Sequence, residues 1–192
     1  MSTKYNMIVA ADMNWCIGNK GSLLTHLPLD MKFFKAITTK KVVIMGKKTQ
    51  ESLPNGLYLK DRINIVLNQD GIKSEVSPTE NNTILIDHDN INTVPNIVSS
   101  LNKLAVSENV YYKFNYMTDG DVFVVGGGQI YREFLNRDMI DTIFLTKIHH
   151  EFNGDTYIPD LYELGFKVVD TLLPITENKD GIKYEILMLK KI

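Results

Sequence analysis

The chain has 192 residues, of which 44% are hydrophobic and 23% are charged, and its formal net charge at pH 7 is -2. This length and composition predict one ordinary domain with a substantial core. The near-neutral charge argues against nucleic acid or an anionic membrane as the main partner. Cys16 is the only cysteine, so an internal disulfide is excluded. The single cysteine makes the reducing cytoplasm the default compartment, and no apolar run has the length of a signal-peptide core or a membrane span. A monomer is the default oligomeric state.

Short β-rich runs alternate with helical patterns along most of the chain. Strands are predicted over 5–11, 41–45, 62–67, 83–87, 122–125, 142–148, 165–172 and 182–190. Four helices are predicted. They begin at Pro28, after Gly46, after Thr93 as the N-cap, and after the glycines at 126–128. The last three strands have no helix between them, which predicts antiparallel strands closing a mostly parallel sheet. The expected fold is therefore α/β, with a mostly parallel central sheet, an antiparallel C-terminal strand and flanking helices.

One domain is expected over residues 1–192, with a long connection around 69–120 that bears an insertion. Part of this connection, 106–120, is rich in aromatic residues. Connections of this length are often functional or mobile. We favour a surface insertion whose tyrosines pack locally.

An aspartate lies on the apolar face of the first predicted helix. That face has helical spacing and consists of Leu27, Asp30, Met31, Phe34 and Ile37. An acid in the first turn of a helix is often only a complement to the helix dipole. The alternative is a carboxylate in an apolar pocket, with a raised pKa suited to proton transfer. This segment alone leaves both interpretations open.

Two strand-to-helix turns have the composition of anion-binding sites. In the first, Gly46 ends a buried strand and is followed by Lys47, Lys48 and Thr49. In the second, the sequence V-V-G-G-G-Q-I-Y over 124–131 places three glycines between a strand and a helix. Neither is a dinucleotide fingerprint or a Walker loop. Each is weak alone, but two such turns in one α/β sheet predict a ligand crevice at the carboxyl ends of the strands.

The sequence gives little support for a metal site or for a serine hydrolase. The four histidines have no ligand spacing, no second cysteine is present, and no G-x-S-x-G element occurs. We therefore predict no metal site.

Several motifs occur in a characteristic order: I-V-A-A, I-G-N-K-G, L-x-H-L-P-x-D-M-K-F-F, V-V-I-M-G-K-K-T-x-E-S-L-P, L-K-D-R-I-N-I-V-L, V-V-G-G-G-Q-I-Y, G-D-T-Y-I-P and G-I-K-Y-E. In these motifs the chain resembles the dihydrofolate reductase family over nearly its whole length. The resemblance implies NADPH-dependent reduction of 7,8-dihydrofolate to 5,6,7,8-tetrahydrofolate, with hydride transfer to C6 and protonation of N5. It also implies a role in one-carbon metabolism and thymidylate synthesis, and that the protein is a target of antifolates.

The resemblance gives Asp30 the catalytic role, as the pocket's one ionisable group, which hydrogen-bonds the pterin. Arg62 would pair with the carboxylate of the glutamate tail, and Thr146 would orient Asp30. The implied substrate-binding residues are Ile8, Val9, Asp30, Met31, Phe34, Leu53, Leu59, Arg62, Val125, Tyr131 and Thr146. Asp30 would then face the apolar side because the substrate lies there.

The same resemblance implies the NADPH site and a cis peptide between Gly126 and Gly127. The implied cofactor-binding residues are Ala10, Ile17, Gly18, Gly46, Lys47, Lys48, Thr49, Leu67, Asn68, Gln69, Val125, Gly126, Gly127, Gly128, Gln129, Ile130 and Tyr131. Because Asn68, Gln69 and Asp70 carry no positive charge, we expect Lys47 and Lys48 to provide most of the binding to the 2′-phosphate of NADPH.

One departure from the family concerns the substrate helix, which Leu24 and Thr25 precede where the family has Pro-Trp. Trp15 is a candidate to replace the missing indole. The missing indole also leaves open a non-catalytic protein that retains the fold. The other alternative, a related pteridine or pyrimidine reductase, is disfavoured by the combination of Asp30 and Arg62.

Overall fold

The computed structural model describes residues 4–56, 58–68, 83–107 and 122–192. Its strands are β1 Tyr5–Ala11, β2 Cys16–Gly18, β3 Val42–Gly46, β4 Ile63–Asn68, β5 Thr83–Asp87, β6 Val122–Gly126, β7 Ile140–Ile148, β8 Thr156–Tyr157, β9 Phe166–Glu177 and β10 Lys183–Lys191. Its α-helices are α1 Pro28–Thr38, α2 Lys47–Ser52, α3 Val94–Ser107 and α4 Gly128–Asn136. Two 3-10 segments cover Pro54–Gly56 and His88–Thr93. The aromatic residues predicted to pack locally, Tyr111, Tyr112, Phe114 and Tyr116, lie outside the described residues.

Eight strands form one sheet in the order β5-β4-β3-β6-β1-β7-β10-β9. Neighbouring strands are parallel from β5 to β7, whereas β10 runs antiparallel to both β7 and β9. The predicted mostly parallel sheet with an antiparallel C-terminal strand is confirmed. Strand β7, predicted at 142–148, is antiparallel to β10, as expected for the last three strands, and is parallel to β1 on its other side. Because α4 precedes that strand, the chain crosses over the sheet and returns parallel to β1.

The sheet has two covered faces, which explains why its central strands are almost wholly apolar. Along β3, Val42 and Ile44 face the larger buried cluster, to which α3 and α4 contribute. Val43 and Met45 alternate with them and face a smaller cluster, against which α1 packs. The second face is the one that carries Asp30.

The starts of two helices show how local sequence sets the elements. Pro28 occupies the first turn of α1, where its missing N–H is not needed. Thr93 does not open α3 from a loop, because it ends a 3-10 segment that runs directly into the helix. Its hydroxyl donates to the carbonyl of Asn90 at 2.7 Å, so its observed role is to close that segment.

Candidate active site

Asp30 lies in the first turn of α1 and reaches β7. The hydroxyl of Thr146 donates to Oδ1 of Asp30 at 2.5 Å, which confirms the contact that the resemblance implied. Burial raises the pKa of the Asp30 carboxyl, and the hydrogen bond from Thr146 opposes this effect without cancelling it. The carboxyl is therefore suited to hold a proton at a higher pH than an exposed aspartate.

Half-buried hydrophobic side chains lie on the same face of the sheet as this carboxyl, the face that α1 covers. They pack against the smaller buried cluster and are Phe33, Phe34, Ile37, Leu53, Tyr58, Leu59, Leu85, Val125 and Phe144. Ile8 is buried beneath them. Met31 is 49% exposed and lies at the outer side of the helix. Side chains that are apolar yet only partly covered offer a surface on which a flat heteroaromatic molecule can pack.

Arg62 lies on the same side and is only 5% exposed. Its Nε donates to the hydroxyl of Thr38 at 2.9 Å, and its Nη1 donates to the carbonyl of Lys60 at 3.1 Å. The guanidinium also lies 5.7 Å from the ring centre of Phe34. Within the described part of the chain, no carboxylate lies at ion-pair distance from it, and burial lowers its pKa. A cation held in this way is oriented by neutral groups and is available to an anionic ligand.

Tyr131 joins the two proposed binding regions. Its hydroxyl donates to the carbonyl oxygen of Ile8 at 2.7 Å, across from α4 to β1. Burial, with a smaller contribution from the charge of Asp30, raises the pKa of Tyr131. The phenol therefore stays protonated and acts as a donor that ties α4 to the middle of β1.

The two glycine turns are neighbours, because β3 and β6 pair and Met45 is in register with Gly126. The helices that follow, α2 and α4, have Gly46 and Gly127 as their N-caps and receive no side-chain cap from the described residues. A Cβ at Gly127 would lie 2.9 Å from the hydroxyl oxygen of Thr49, so the turns approach closely. The peptide between Gly126 and Gly127 is cis, as the resemblance implied. Two helix starts thus present their N–H groups at one edge of the sheet.

Comparison with known proteins agrees with this geometry. The family model described as dihydrofolate reductase matches residues 4–191. The dihydrofolate reductase of Bacillus subtilis is 32% identical over 186 residues, which cover 97% of this chain and 94% of that protein. The chain belongs to the dihydrofolate reductase family.

Two further comparisons concern a longer protein and a solved structure. The bifunctional dihydrofolate reductase-thymidylate synthase of Daucus carota is 38% identical over 184 residues, which cover 91% of this chain and 32% of that protein. The chain therefore spans about a third of the length of the bifunctional relatives that it matches. A structure described as dihydrofolate reductase from Enterococcus faecalis complexed with NADP(H) and RAB-propyl superimposes with a TM-score of 0.68 at 24% identity, covering 99% of this chain and 97% of that chain. This likeness shows a shared fold.

Some residues assigned from the dihydrofolate reductase resemblance face away from Asp30. The side chains of Val9, Leu67 and Ile130 are buried in the larger cluster, on the other face of the sheet. Ligand contact by Val9 would therefore be through its backbone. Gln69 lies outside the described residues. Asn68 ends β4 and is 3% exposed.

Trp15 does not replace the tryptophan that other family members carry before the substrate helix. Its ring packs edge-on against Tyr162 at 5.3 Å between centres, and it contacts the larger buried cluster. It therefore lies on the face of the sheet opposite Asp30, and the proposed replacement is wrong. Thr25 is itself half-buried beside α1.

Sequence reasoning missed the ribbon that carries Ile17 and Gly18. The ribbon consists of β2 paired with β8. Asp12, at the end of β1, attaches it to the main sheet, and Asp155 joins its two sides by accepting the N–H of Lys20. The available signal was a polar residue, Asp12, immediately after the buried strand β1. On α4, Nη1 of Arg132 donates to the carbonyl of Tyr157 at 2.8 Å, which joins the ribbon to the second glycine turn.

The described ranges hold no group of three or more His, Cys, Asp or Glu side chains arranged to bind a metal ion. Among the same residues, no helix is both long enough and apolar enough to cross a membrane.

Proposed function

We propose that this chain reduces 7,8-dihydrofolate to 5,6,7,8-tetrahydrofolate with NADPH, by hydride transfer to C6 and protonation of N5. The observation that carries the proposal is Asp30, a carboxyl with a raised pKa on the apolar face of the sheet that α1 covers. Membership of the dihydrofolate reductase family supports the same conclusion.

Asp30 serves the proton requirement of the reaction. Its carboxyl is the ionisable group that binds the 2-amino group and N3 of the pterin, and its raised pKa keeps a proton available near the ring. Thr146 holds Oδ1 in place, so the carboxyl keeps one orientation while the substrate binds. Phe34, one turn along α1, supplies an apolar surface for the ring system.

Arg62 binds the α-carboxylate of the glutamate tail. Its guanidinium is already oriented by Thr38 and Lys60, and its burial strengthens an ion pair with an incoming carboxylate. Leu53 and Leu59 lie in the same half-buried set and border the path between Arg62 and Asp30. Because an acid binds the pterin edge and an arginine binds the glutamate tail, the site distinguishes dihydrofolate from pterins that lack the tail.

The residues at the glycine turns fit the cofactor. The starts of α2 and α4 lie side by side, and a Cβ at Gly46 or Gly127 would press on Ile130 or Thr49. Such an edge accepts a diphosphate through backbone N–H groups and the helix dipole. When bound, NADPH supplies the hydride. Lys47 is half-buried and Lys48 is exposed, and their charges favour the 2′-phosphate that distinguishes NADPH from NADH.

The direct test is a spectrophotometric assay of the purified chain that follows the loss of NADPH and dihydrofolate together. The proposal expects consumption of both in equal amounts, and no consumption when either is omitted. Oxidation of NADPH by a pteridine or pyrimidine without a glutamate tail, but not by dihydrofolate, would instead indicate a related reductase. A folded chain that binds NADPH and turns over neither substrate would indicate a binding protein on the same fold.

The remaining parts of the proposal concern organisation. One domain over residues 1–192, with an insertion-bearing connection around 69–120, is supported by the continuous sheet from β5 to β9. We also propose a monomer in the cytoplasm whose partner is its small-molecule substrate, without nucleic acid or membrane. Light scattering on the purified chain tests the monomer.

A further inference from the structure

A second aspartate is buried away from the substrate pocket and holds two loops. Asp12 directly follows β1 and is 2% exposed. Its Oδ1 accepts the backbone N–H groups of Asn14 at 2.8 Å and Cys16 at 2.9 Å. Its Oδ2 accepts the N–H of Phe152 at 2.8 Å, from a segment 140 residues further along the chain. Both carboxylate oxygens are thus used, and hydrogen bonds to a charged acceptor are stronger than neutral ones.

These two segments lead directly into the ribbon. Residues 13–16 run into β2, which carries Ile17 and Gly18, and the loop containing Phe152 runs into β8. The far end of the ribbon is attached separately: the N–H of Asp155 donates to the carbonyl of Gly18 at 3.1 Å. Asp12 therefore sets the position of the near end of both strands.

The ribbon has little freedom between these two attachments. A Cβ on Gly154 would collide with the Sγ of Cys16 and with the carbonyl oxygen of Gly18. The N–H of Ile158 donates to the carbonyl of Trp15 at 3.0 Å, which holds the other side. Since the loops are packed this closely, a shift at the Asp12 end is transmitted to Ile17 and Gly18.

We infer that Asp12 is a positioning residue for hydride transfer, which acts by holding Ile17 and Gly18 at the nicotinamide side of the cofactor site. This inference rests on the proposed function. Asp12 itself touches neither substrate nor cofactor. It acts through the backbone of residues 14–16 and 152, and its effect therefore falls on the rate of the chemical step more than on dihydrofolate binding.

The test replaces Asp12 with asparagine, which has nearly the same volume. One carboxylate oxygen becomes an amide NH₂ group that faces an N–H donor, so one of the two loops loses its acceptor. We expect kcat to fall on the order of tenfold while KM for dihydrofolate changes less than about twofold. The deuterium isotope effect on kcat with deuterated NADPH should increase, because hydride transfer becomes slower relative to product release.

Trp15 gives a readout that does not depend on activity. It is the only tryptophan of the chain and lies between Asn14 and Cys16, both of which donate to Asp12. In the Asp12→Asn variant we expect altered Trp15 emission and faster quenching by acrylamide, without cofactor or substrate present.

A matched control removes another carboxylate charge at the opposite end of β1. Asp138 accepts hydrogen bonds from Lys4 and Lys191, each at 2.7 Å, and is far along the strand from the ribbon. The Asp138→Asn variant should lose thermal stability while kcat, the isotope effect and Trp15 quenching stay as in the wild type. Equal effects of the two variants on kcat and on quenching would overturn the inference.

Further outcomes are equally decisive. An Asp12→Asn variant with lower Tm but unchanged kcat, isotope effect and Trp15 quenching would show a structural role only and would overturn the inference.

If that variant does not fold, amide hydrogen exchange of the wild-type protein tests the inference instead. If the amides of Asn14, Cys16 and Phe152 lose their protection from exchange together, the inference is supported. If Phe152 alone exchanges rapidly, the inference is overturned. A wild type that folds but does not reduce dihydrofolate contradicts the proposed function, whereas an active wild type with a normal Asp12→Asn variant contradicts only this inference.

Discussion

Asp30 and Asp12 lie in two regions of the molecule in which an aspartate side chain has different hydrogen-bond partners and a different role. Asp30 is half-buried, and among the described residues its carboxyl receives one hydrogen bond, from Thr146. Asp12 is almost fully buried and receives three, all from backbone N–H groups. Where few donors accompany burial, the carboxyl keeps its affinity for a proton and for a ligand. Where donors are sufficient, the carboxylate instead fixes the backbone around it.

The largest expected effect that tests this comparison is the loss of activity in Asp30→Asn. The variant keeps the shape of the side chain but cannot provide a proton at N5. We expect kcat at neutral pH to fall by about 10²–10⁴-fold, with partial recovery at low pH where solvent protonates the substrate. Binding of NADPH, measured by fluorescence titration, should be nearly unchanged. A rate at pH 7 close to that of the wild type would remove Asp30 from the catalytic role.

A second prediction concerns the other under-paired charge of the substrate region. In Arg62→Leu we expect dihydrofolate binding to weaken by about 2–5 kcal/mol, the range for a broken buried charge pair. Binding of a dihydropterin without the glutamate tail serves as the control and should hardly change. Equal losses for both ligands, measured by calorimetry, would indicate a folding defect and not a lost contact with the tail.

The two regions also differ in how far the sequence predicted them. The apolar runs that became β3, β4 and β6 were predictable because buried parallel strands are almost continuously hydrophobic. The spacing of α1 placed Asp30 on its apolar face, although its contact with Thr146, 116 residues away, came only from the family resemblance.

The ribbon and Asp12 were not predictable in the same way. The strands β2 and β8 have three and two residues, too short for any periodicity, and they exist because distant loops meet. The donors to Asp12 are backbone N–H groups, which every residue except proline carries, so no residue type marks them. Likewise Trp15 was assigned to the wrong face, because its position in an irregular loop with a positive φ of 62° gives no periodicity from which a face can be read.

The third prediction is that the two aspartates affect stability with opposite signs. The pKa of Asp30 is raised in the folded state above its usual 3.8. The folded chain therefore binds this proton more tightly than the unfolded chain, and its stability falls as pH rises from 3.8 through the raised value. At a pH above that window, Asp30→Asn should raise the Tm of the ligand-free protein. Asp12→Asn should lower it, since an unsatisfied buried donor costs about 1–3 kcal/mol.

Thermal unfolding of both variants at several pH values measures this difference. For Asp30→Asn the gain should disappear at a pH below 3.8, where the wild-type carboxyl is protonated in both states. A lower Tm in both variants at neutral pH would mean that Asp30 stabilises the fold as Asp12 does, and the contrast between the regions would be wrong.

The fourth prediction extends the comparison to the cofactor side, where charge again serves a ligand. The change of Lys47 and Lys48 to alanine together should reduce the preference for NADPH over NADH on the order of tenfold, while use of NADH is retained. Lysine offers no bidentate contact, so the wild-type preference should also decrease as ionic strength rises. Measurements of kcat/KM for both cofactors at low and high salt check both points. An unchanged preference would mean that other residues hold the 2′-phosphate.

The smallest expected effect comes from Thr146, which donates to Asp30. Thr146→Val keeps the side-chain volume but removes the hydrogen bond that opposes the effect of burial, so the pKa of Asp30 should rise further. Since the protonated carboxyl is the active form, the limb of the pH profile where activity falls should move to higher pH. At neutral pH the rate should change by less than about tenfold, as expected for one neutral hydrogen bond. Thr142→Val is the matched control, because Thr142 lies on the same strand and its hydroxyl donates to Asp141 at 3.0 Å. A shift toward lower pH in Thr146→Val, or an equal shift in the control, would show that Thr146 does not set the proton affinity of Asp30.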